Sequence, residues 1–306
     1  MNNLVFYCPQ TEKLAKQVFD AGNIDPGAIK LGQITWDSFA DGFPDYMIKN
    51  AHQIKTSDVS FLASFDSPAD IFNQLSIIYA LPRYLAKSLK IFLPYYPTGT
   101  MERIEVHGQI ATAMTLARML SATPITRTGP VQIIIFDIHA LQEEFYFNDN
   151  VLVRRETAIP LIYTRCPKSQ FAVAYPDDGA WKRFSHYFHG YEQIICQKVR
   201  DGEKRIITIK EGDPKGKKII LIDDLIQTGG TLREAAKKLL EFGAETVLAY
   251  CPHGVFPNES WKKFDGSVIK KVFITDSCPH TVAQVEGNKN FEILTLATLI
   301  SDIITE

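Results

Sequence analysis

The sequence predicts an α/β protein built from two doubly wound, parallel-sheet domains, and three observations carry that expectation. Short apolar, β-branched runs recur along the whole chain and alternate with segments whose apolar residues fall at helical spacing. The stretch 217–242 passes from one such run through Thr-Gly-Gly-Thr into an amphipathic helix, the strand–turn–helix unit of a parallel sheet. The length, 306 residues, exceeds what one core of ordinary size covers and divides into two domains of roughly 150 residues.

Taken in order, Leu4-Val5-Phe6-Tyr7-Cys8 is a short strand, and Leu14, Ala15, Val18 and Phe19 mark the face of the helix after it. The polar stretch Ser38-Phe39-Ala40-Asp41-Gly42-Phe43-Pro44-Asp45 carries Asp-Gly and Phe-Pro punctuation, a loop or hairpin. Phe61-Leu62-Ala63-Ser64-Phe65 is the next strand. Asp66-Ser67-Pro68 caps a long helix through Ile71, Leu75, Ile78 and Leu85, with Pro82 expected to kink it. Ile91-Phe92-Leu93 runs into Pro94-Tyr95-Tyr96-Pro97-Thr98-Gly99-Thr100. Val106, Ile110, Ala113, Met114, Ala117 and Leu120 then form an apolar stripe that reads as core. The buried run 131–136 leads into Asp137-Ile138-His139.

A boundary is expected near 148–150. It gives a first domain 1–148, joined by a C-terminal helix in 292–306, and a second domain 149–291. The second repeats the alternation, with strands at 171–174, 194–196, 217–222, 246–250 and 272–274 and a closing helix at 296–304. No low-complexity segment and no residue-level repeat relates the halves.

Composition narrows the function classes. With 45% hydrophobic and 22% charged residues and a net charge of −2, nothing electrostatic points to nucleic acid or an anionic membrane. No apolar run approaches ~18 residues, so no transmembrane helix is expected. The N-terminus has no basic segment of the secretory kind. Cys8, Cys166, Cys196, Cys251 and Cys278 are scattered without metal-type spacing, which suits reduced thiols in the cytoplasm.

Chemistry concentrates at 217–231. Lys217-Lys218-Ile219-Ile220-Leu221-Ile222 ends on two adjacent carboxylates, Asp223 and Asp224, and Leu225-Ile226-Gln227-Thr228-Gly229-Gly230-Thr231 follows. The next helix has Leu232, Ala235, Ala236, Leu239 and Leu240 on one face and stops at Gly243. Free N–H groups at its start, beside glycines that allow close backbone approach, make a phosphate cradle to which Thr228 and Thr231 add hydroxyls. Two acids would repel a phosphate unless they accept from neutral hydroxyls, such as the vicinal pair of a ribose, or face a cation. The stretch therefore reads as a ribose 5-phosphate site. A plain helix cap would need neither both acids nor both glycines. Tyr96-Pro97, Asp137/His139 and Asp177/Asp178 also follow apolar runs at once, the carboxyl strand ends where open α/β sheets bind ligands.

Residues 223–231 resemble the phosphoribosyl-diphosphate loop shared by type I phosphoribosyltransferases and ribose-phosphate diphosphokinases (PRPP synthases). The rest of the chain narrows the resemblance to PRPP synthases, over nearly its whole length. Asp137-Ile138-His139 with Gln142 is similar to their Asp-x-His-x-x-Gln segment, which implies that His139 binds Mg²⁺-ATP. Pro176-Asp177-Asp178-Gly179-Ala180-Trp181-Lys182-Arg183 resembles Pro-Asp-x-Gly-x-x-Lys-Arg, which implies Asp177 as a carboxylate for metal and ribose. The segment 196–205 reads from composition as a basic, mobile loop; Lys198 and Arg200 match the Lys-x-Arg pair of the family's catalytic flexible loop. Ser38-Phe39-Ala40-Asp41-Gly42 resembles the loop that reaches adenine, with Phe39 stacking on the base and Asp41 accepting from its amine, in many members across a subunit interface.

Two departures are informative. Phe43 stands where common members have Glu, and 97–103 keeps only Arg103 as a basic residue, with Thr100 at the position of an ATP-contacting arginine. Both match the divergent class II, plant-type form. The resemblance implies a type I phosphoribosyltransferase-like fold in both domains, facing each other across a cleft. It implies transfer of the β,γ-diphosphoryl group of ATP to the C1 hydroxyl of ribose 5-phosphate, yielding PRPP and AMP. Asp223, Asp224, Gln227, Thr228, Gly229, Gly230 and Thr231 hold the sugar phosphate. Phe39, Asp41, Arg103 and His139 hold the nucleotide, His139 and Asp177 serve Mg²⁺, and Lys198 and Arg200 stabilise the transferring group. It further implies a homo-oligomer with the nucleotide site near an interface, independence from activating phosphate, weak ADP inhibition and loose donor choice. A phosphoribosyltransferase consuming PRPP with a base is the rival reading. A non-catalytic PRPP-synthase-associated regulatory protein is another, against which His139, Lys198 and Arg200 speak.

Overall fold

The apolar runs become strands because a parallel sheet gives their side chains two faces to bury. In a computed structural model, which describes residues 3–22, 27–201 and 204–306 except the side chains of 198, 200, 201 and 204–206, the chain divides into two units. One comprises Met1–Glu156 with Thr295–Glu306, the other Thr157–Leu294.

The first unit runs β1 (Asn3–Tyr7), α1 (Glu12–Gly22), β2 (Ile29–Leu31), β3 (Gln33–Ser38), β4 (Pro44–Lys49), β5 (Asp58–Leu62), α2 (Pro68–Arg83), β6 (Ser88–Leu93), α3 (Thr112–Ser121), β7 (Val131–Phe136) and β8 (Val151–Glu156). Six strands pair in the order β2-β1-β5-β6-β7-β8, all parallel, while β3 and β4 form a separate antiparallel hairpin. Ser67 caps α2 as expected, its Oγ accepting from the Asp70 N–H at 3.2 Å.

The helix does not continue through Pro82 to Leu85. It stops at Arg83, one residue past the proline, and Leu85 turns left-handed at φ 64° and faces solvent. The stripe expected from Val106 is likewise shorter. Val106 and Ile110 precede α3 and are each 69% exposed, while Ala113, Ala117 and Leu120 are buried on it.

The second unit runs β9 (Phe171–Tyr175), α4 (Asp178–Phe184), β10 (Gln193–Asp201), β11 (Lys204–Glu211), β12 (Lys218–Ile222), β13 (Leu225–Ile226), α5 (Gly230–Glu241), β14 (Thr246–Tyr250), β15 (His253–Gly254), β16 (Val272–Thr275), α6 (Pro279–Val285) and β17 (Phe291–Leu294). Its seven-stranded sheet has the order β11-β10-β9-β12-β14-β16-β17, parallel except for the edge strand β11. Strand β12 shows why the run 219–222 is apolar throughout. Ile219 and Leu221 enter one core with Leu239 and Val247, while Ile220 and Ile222 enter the opposite one with Val173 and Tyr250.

The chain ends in α7 (Ala297–Thr305), which packs on α1 within the first unit, where Arg154 also pairs with Glu306. Two boundary expectations therefore shift. Residues 151–156 belong to the first unit because they pair with β7 from Val131↔Val151 to Phe136↔Glu156. Residues 291–294 are an edge strand on β16, not helix, and leave only the segment after them for α7.

Candidate functional site

In the second sheet the winding reverses between β9 and β12, since the chain runs outward to β10 and β11 on one side and to β14, β16 and β17 on the other. The crevice at the carboxyl ends of such a pair is where doubly wound sheets take ligands. Asp177 follows β9 by two residues and Asp223 follows β12 at once, so the switch point is lined with acid.

Asp177 spends one oxygen on structure, capping α4 by accepting from the Ala180 N–H at 3.1 Å. Asp224 is buried and pairs with Arg183, Nη1 to Oδ2 3.0 Å. Asp223, half-buried, accepts from the Asp224 N–H at 3.0 Å. Burial pushes its carboxyl well above the ordinary carboxylate range, and the charges of Asp224 and Asp177 raise it further. The buried Cys251 thiol is likewise pushed up, by burial and by the charges of Asp223 and Asp224. An acid held in this state favours neutral hydroxyl donors or a divalent cation as its neighbour.

The turn that follows is held from behind. The His253 N–H donates to the Asp224 carbonyl at 3.1 Å, β13 pairs with β15, and Ser260 Oγ donates to the Gln227 carbonyl at 2.8 Å. Gly229 sits at φ 69° as the residue before α5, and a Cβ there would lie 2.4 Å from Phe264 Cζ. Gln227 and Thr228 face solvent, and Gly230 opens the helix whose free N–H groups point into the turn, with Thr231 half-buried beside it. The seven loop positions expected to act together are thus one continuous element. Ser260 and Phe264 were not singled out by the sequence, whereas Arg183 stood in the segment 176–183 as the last basic residue of its motif but without a partner assigned to it.

In the first unit β6 and β7 are neighbours, and the loop 94–103 lies against His139. A Cβ at Gly99 would come 3.3 Å from His139 Cβ and 3.5 Å from the Glu143 carboxylate. Glu143 is fully buried, Tyr96 OH donates to the Ala113 carbonyl at 2.7 Å, and Tyr146 OH to the Glu102 carbonyl. His139 itself is exposed. So is Arg103, whose guanidinium pairs with Glu105 at 3.0 Å and Glu102 at 3.5 Å. Phe39 (57% exposed) and Asp41 stand at the tip of the β3–β4 hairpin, where the Asp41 carboxylate accepts from the Phe43 N–H at 3.1 Å. The structure joins His139 to the 94–103 loop; Phe39 and Asp41 ride on a different element, and Asp177 belongs to the other unit.

Lys198 and Arg200 lie on β10, and their side chains fall outside the described residues. Their segment is not the loop expected from its composition but half of an antiparallel pair, with Lys198 opposite Ile207 and Arg200 opposite Arg205.

A parallel-sheet unit with an acidic switch point and a glycine-containing turn entering a helix defines a protein of the type I phosphoribosyltransferase-like class. The comparisons carry this to a family. Residues 4–123 match the N-terminal domain of ribose phosphate pyrophosphokinase, and 189–306 match the phosphoribosyl synthetase-associated domain. The chain is 50% identical to ribose-phosphate pyrophosphokinase 3, chloroplastic, of Oryza sativa subsp. japonica, over 99% of its own length and 76% of the relative's. It is 48% identical to ribose-phosphate pyrophosphokinase 4 of Arabidopsis thaliana, over 98% and 91%. The crystal structure of phosphoribosylpyrophosphate synthetase from Mycobacterium smegmatis shares the fold, with a TM-score of 0.81 at 24% identity over 99% of this chain and 98% of that one. The chain belongs to the ribose-phosphate pyrophosphokinase family, and its likeness is to the plant-type form.

Proposed function

We propose that the chain catalyses attack of the C1 hydroxyl of ribose 5-phosphate on the β-phosphorus of ATP. The bond from that phosphorus to the oxygen bridging the α-phosphate breaks, AMP leaves with that oxygen, the hydroxyl proton is lost, and PRPP forms without a covalent enzyme intermediate. The observation that carries this reading is the loop 223–231 at the switch point of the second sheet. Asp223 and Asp224 accept from the ribose hydroxyls. Gln227, Thr228, Gly229, Gly230 and Thr231 cradle the 5-phosphate with backbone N–H groups and hydroxyls. Phe39 stacks on the base, Asp41 accepts from its amine, and Arg103 and His139 hold the phosphates. Lys198 and Arg200 neutralise charge on the transferring group, so catalysis is positioning plus electrostatics.

Mg²⁺ fits the donor set. Among the described residues no three carboxylates, imidazoles or thiols converge on one cation position. Magnesium at phosphoryl-transfer sites is held by one or two carboxylates together with substrate phosphates and water, not by an all-protein cage. Asp177, beside an Asp223 whose charge is unfavourable, is the carboxylate this reading assigns, with His139 on the nucleotide side. Held there with ATP, the ion would supply positive charge against the phosphates.

Exposed aromatic side chains on the β3–β4 hairpin, Phe39 and Phe43, suit a homo-oligomer with the nucleotide site near an interface. Five cysteines, none of them in a disulfide, suit a reducing compartment such as the cytoplasm. With the guanidinium at position 100 replaced by Thr100, the reading includes loose donor choice and independence from activating phosphate. Incubating the protein with Mg-ATP and ribose 5-phosphate tests it. AMP and PRPP should form in equal amounts, with or without inorganic phosphate. PRPP consumption with a free base and no AMP from ATP would mark a phosphoribosyltransferase, and neither reaction a regulatory protein.

A further inference from the structure

The antiparallel pair that carries Lys198 and Arg200 leaves the sheet through an irregularity. Ile195 pairs with Glu211 but Cys196 pairs with Ile209, so β11 has one residue more than β10 at this point, and the extra residue is Lys210. Such a β-bulge bends its strand and re-aims a side chain. Lys210 Nζ reaches the Asp178 carboxylate at 2.7 Å. Asp178 is the first residue of α4, next to Asp177 at the acidic switch point, so the bulge ties β11 to the end of β9.

Two residues on, the backbone allows no slack. Gly212 sits at φ 86°, and a Cβ there would meet backbone, 2.5 Å from the Gln193 carbonyl oxygen and 2.9 Å from Ile194 Cα. From this root Lys198 lies two residues beyond the bulge and Arg200 four, counted along β10 from Cys196. A small change of angle at the root is therefore magnified at the cationic positions.

We propose that Lys210 is a positioning residue for diphosphoryl transfer: its ion pair with Asp178 sets the direction in which the β10–β11 pair leaves the sheet and so where positions 198 and 200 are presented. This rests on the reading of those two residues as the cations of transfer. Lys210 need not touch substrate. Both partners are 44% exposed, so the pair contributes little to folding and is screened by salt.

The test is a charge-swap cycle. Lys210→Ala and Asp178→Asn should each lower kcat about three- to fivefold at low salt, leave KM for ribose 5-phosphate within about twofold, and leave the melting temperature unchanged. Because the pair is screened, the deficit should shrink at high salt. Lys210→Asp with Asp178→Lys, which re-forms the pair reversed, should recover more than half of the lost kcat. Lys198→Ala in the same assay separates the two readings. Full turnover there overturns the cation assignment and this proposal with it. A collapse there with unchanged turnover in Lys210→Ala overturns this proposal alone. A swap no better than the worse single variant, or a loss confined to KM, also overturns it.

Discussion

The two sheets share one style of winding but treat their switch points differently. In the second unit the crevice between β9 and β12 is lined by Asp177 and Asp223 and bordered by a braced turn. In the first unit the winding reverses between β1 and β5, and there the chain fills its own crevice. Buried Gln74 accepts from the Ser64 N–H at 3.0 Å and donates to the Ser64 carbonyl at 2.6 Å, and Thr11 Oγ1 donates to the Leu62 carbonyl at 3.0 Å. The first unit's candidate residues stand instead at the ends of β6 and β7 and on a hairpin tip, mostly exposed. Topology names where a site can form; the side chains at the crevice decide whether one does. One unit presents a crevice lined with acid and braced from behind, the other a set of mostly exposed groups.

The contrast can be broken most sharply at the cations. Lys198→Ala should lower kcat about 10²- to 10³-fold while the dissociation constant for ribose 5-phosphate, measured by calorimetry, stays put. Equal turnover would remove the lysine from the mechanism. Next in size is a matched pair of glycine substitutions. Gly229→Ala places a methyl 2.4 Å from Phe264 in left-handed backbone and should raise KM for ribose 5-phosphate about 10²-fold, whereas Gly99→Ala meets His139 at 3.3 Å and should cost no more than about fivefold in KM for ATP. Similar penalties at both would mean that the two sites are equally rigid. Phe39→Ala should raise KM for ATP about tenfold through lost stacking and leave ribose 5-phosphate untouched.

A smaller effect reports the strain itself. A carboxyl whose folded-state pKa lies above its unfolded value costs nothing at a pH below the unfolded value, near 4, and destabilises the fold increasingly as pH rises toward the folded value. Asp223 is such a group. Asp223→Asn should therefore melt about 2–5 °C higher at pH 8, with the gap closing as pH falls toward about 4, while turnover is lost. An equal melting temperature at both pH values would show the acid to be well hydrated. Smallest is the thiol response, alike in both units. Burial holds Cys8 up at about 11 and Cys166 and Cys196 at about 12, so a disulfide reagent at pH 8 should react only as fast as the protein opens.

Much of this was legible along the chain because it is local. The run 219–222 reads as a strand covered on both faces, and Thr228-Gly229-Gly230-Thr231 reads as a cradle, since each depends only on neighbours within a few residues. Segments whose partners are remote were misjudged. The charges of 196–205 suggested a loop, yet the backbone ladder to β11 makes 196–201 and 204–205 strand, because pairing depends on Ile207 and Ile209 finding the core and not on the charges between. Val106 and Ile110 continue a helical spacing that the chain abandons before α3, and spacing alone does not say where a helix begins.

By itself the sequence determined the alternation of strand and helix, the acid–glycine turn and its register on α5, and the family to which the chain belongs, all written in short-range patterns of side-chain polarity and backbone freedom. Only the tertiary structure decided that β8 stays with the first sheet, that Arg183 answers Asp224, that Phe264 fills the space behind Gly229 and that a bulge aims Lys210 at Asp178. Each of these is a meeting of residues far apart in the chain, and burial free energy selects such meetings across the whole fold, where no local window of sequence records them.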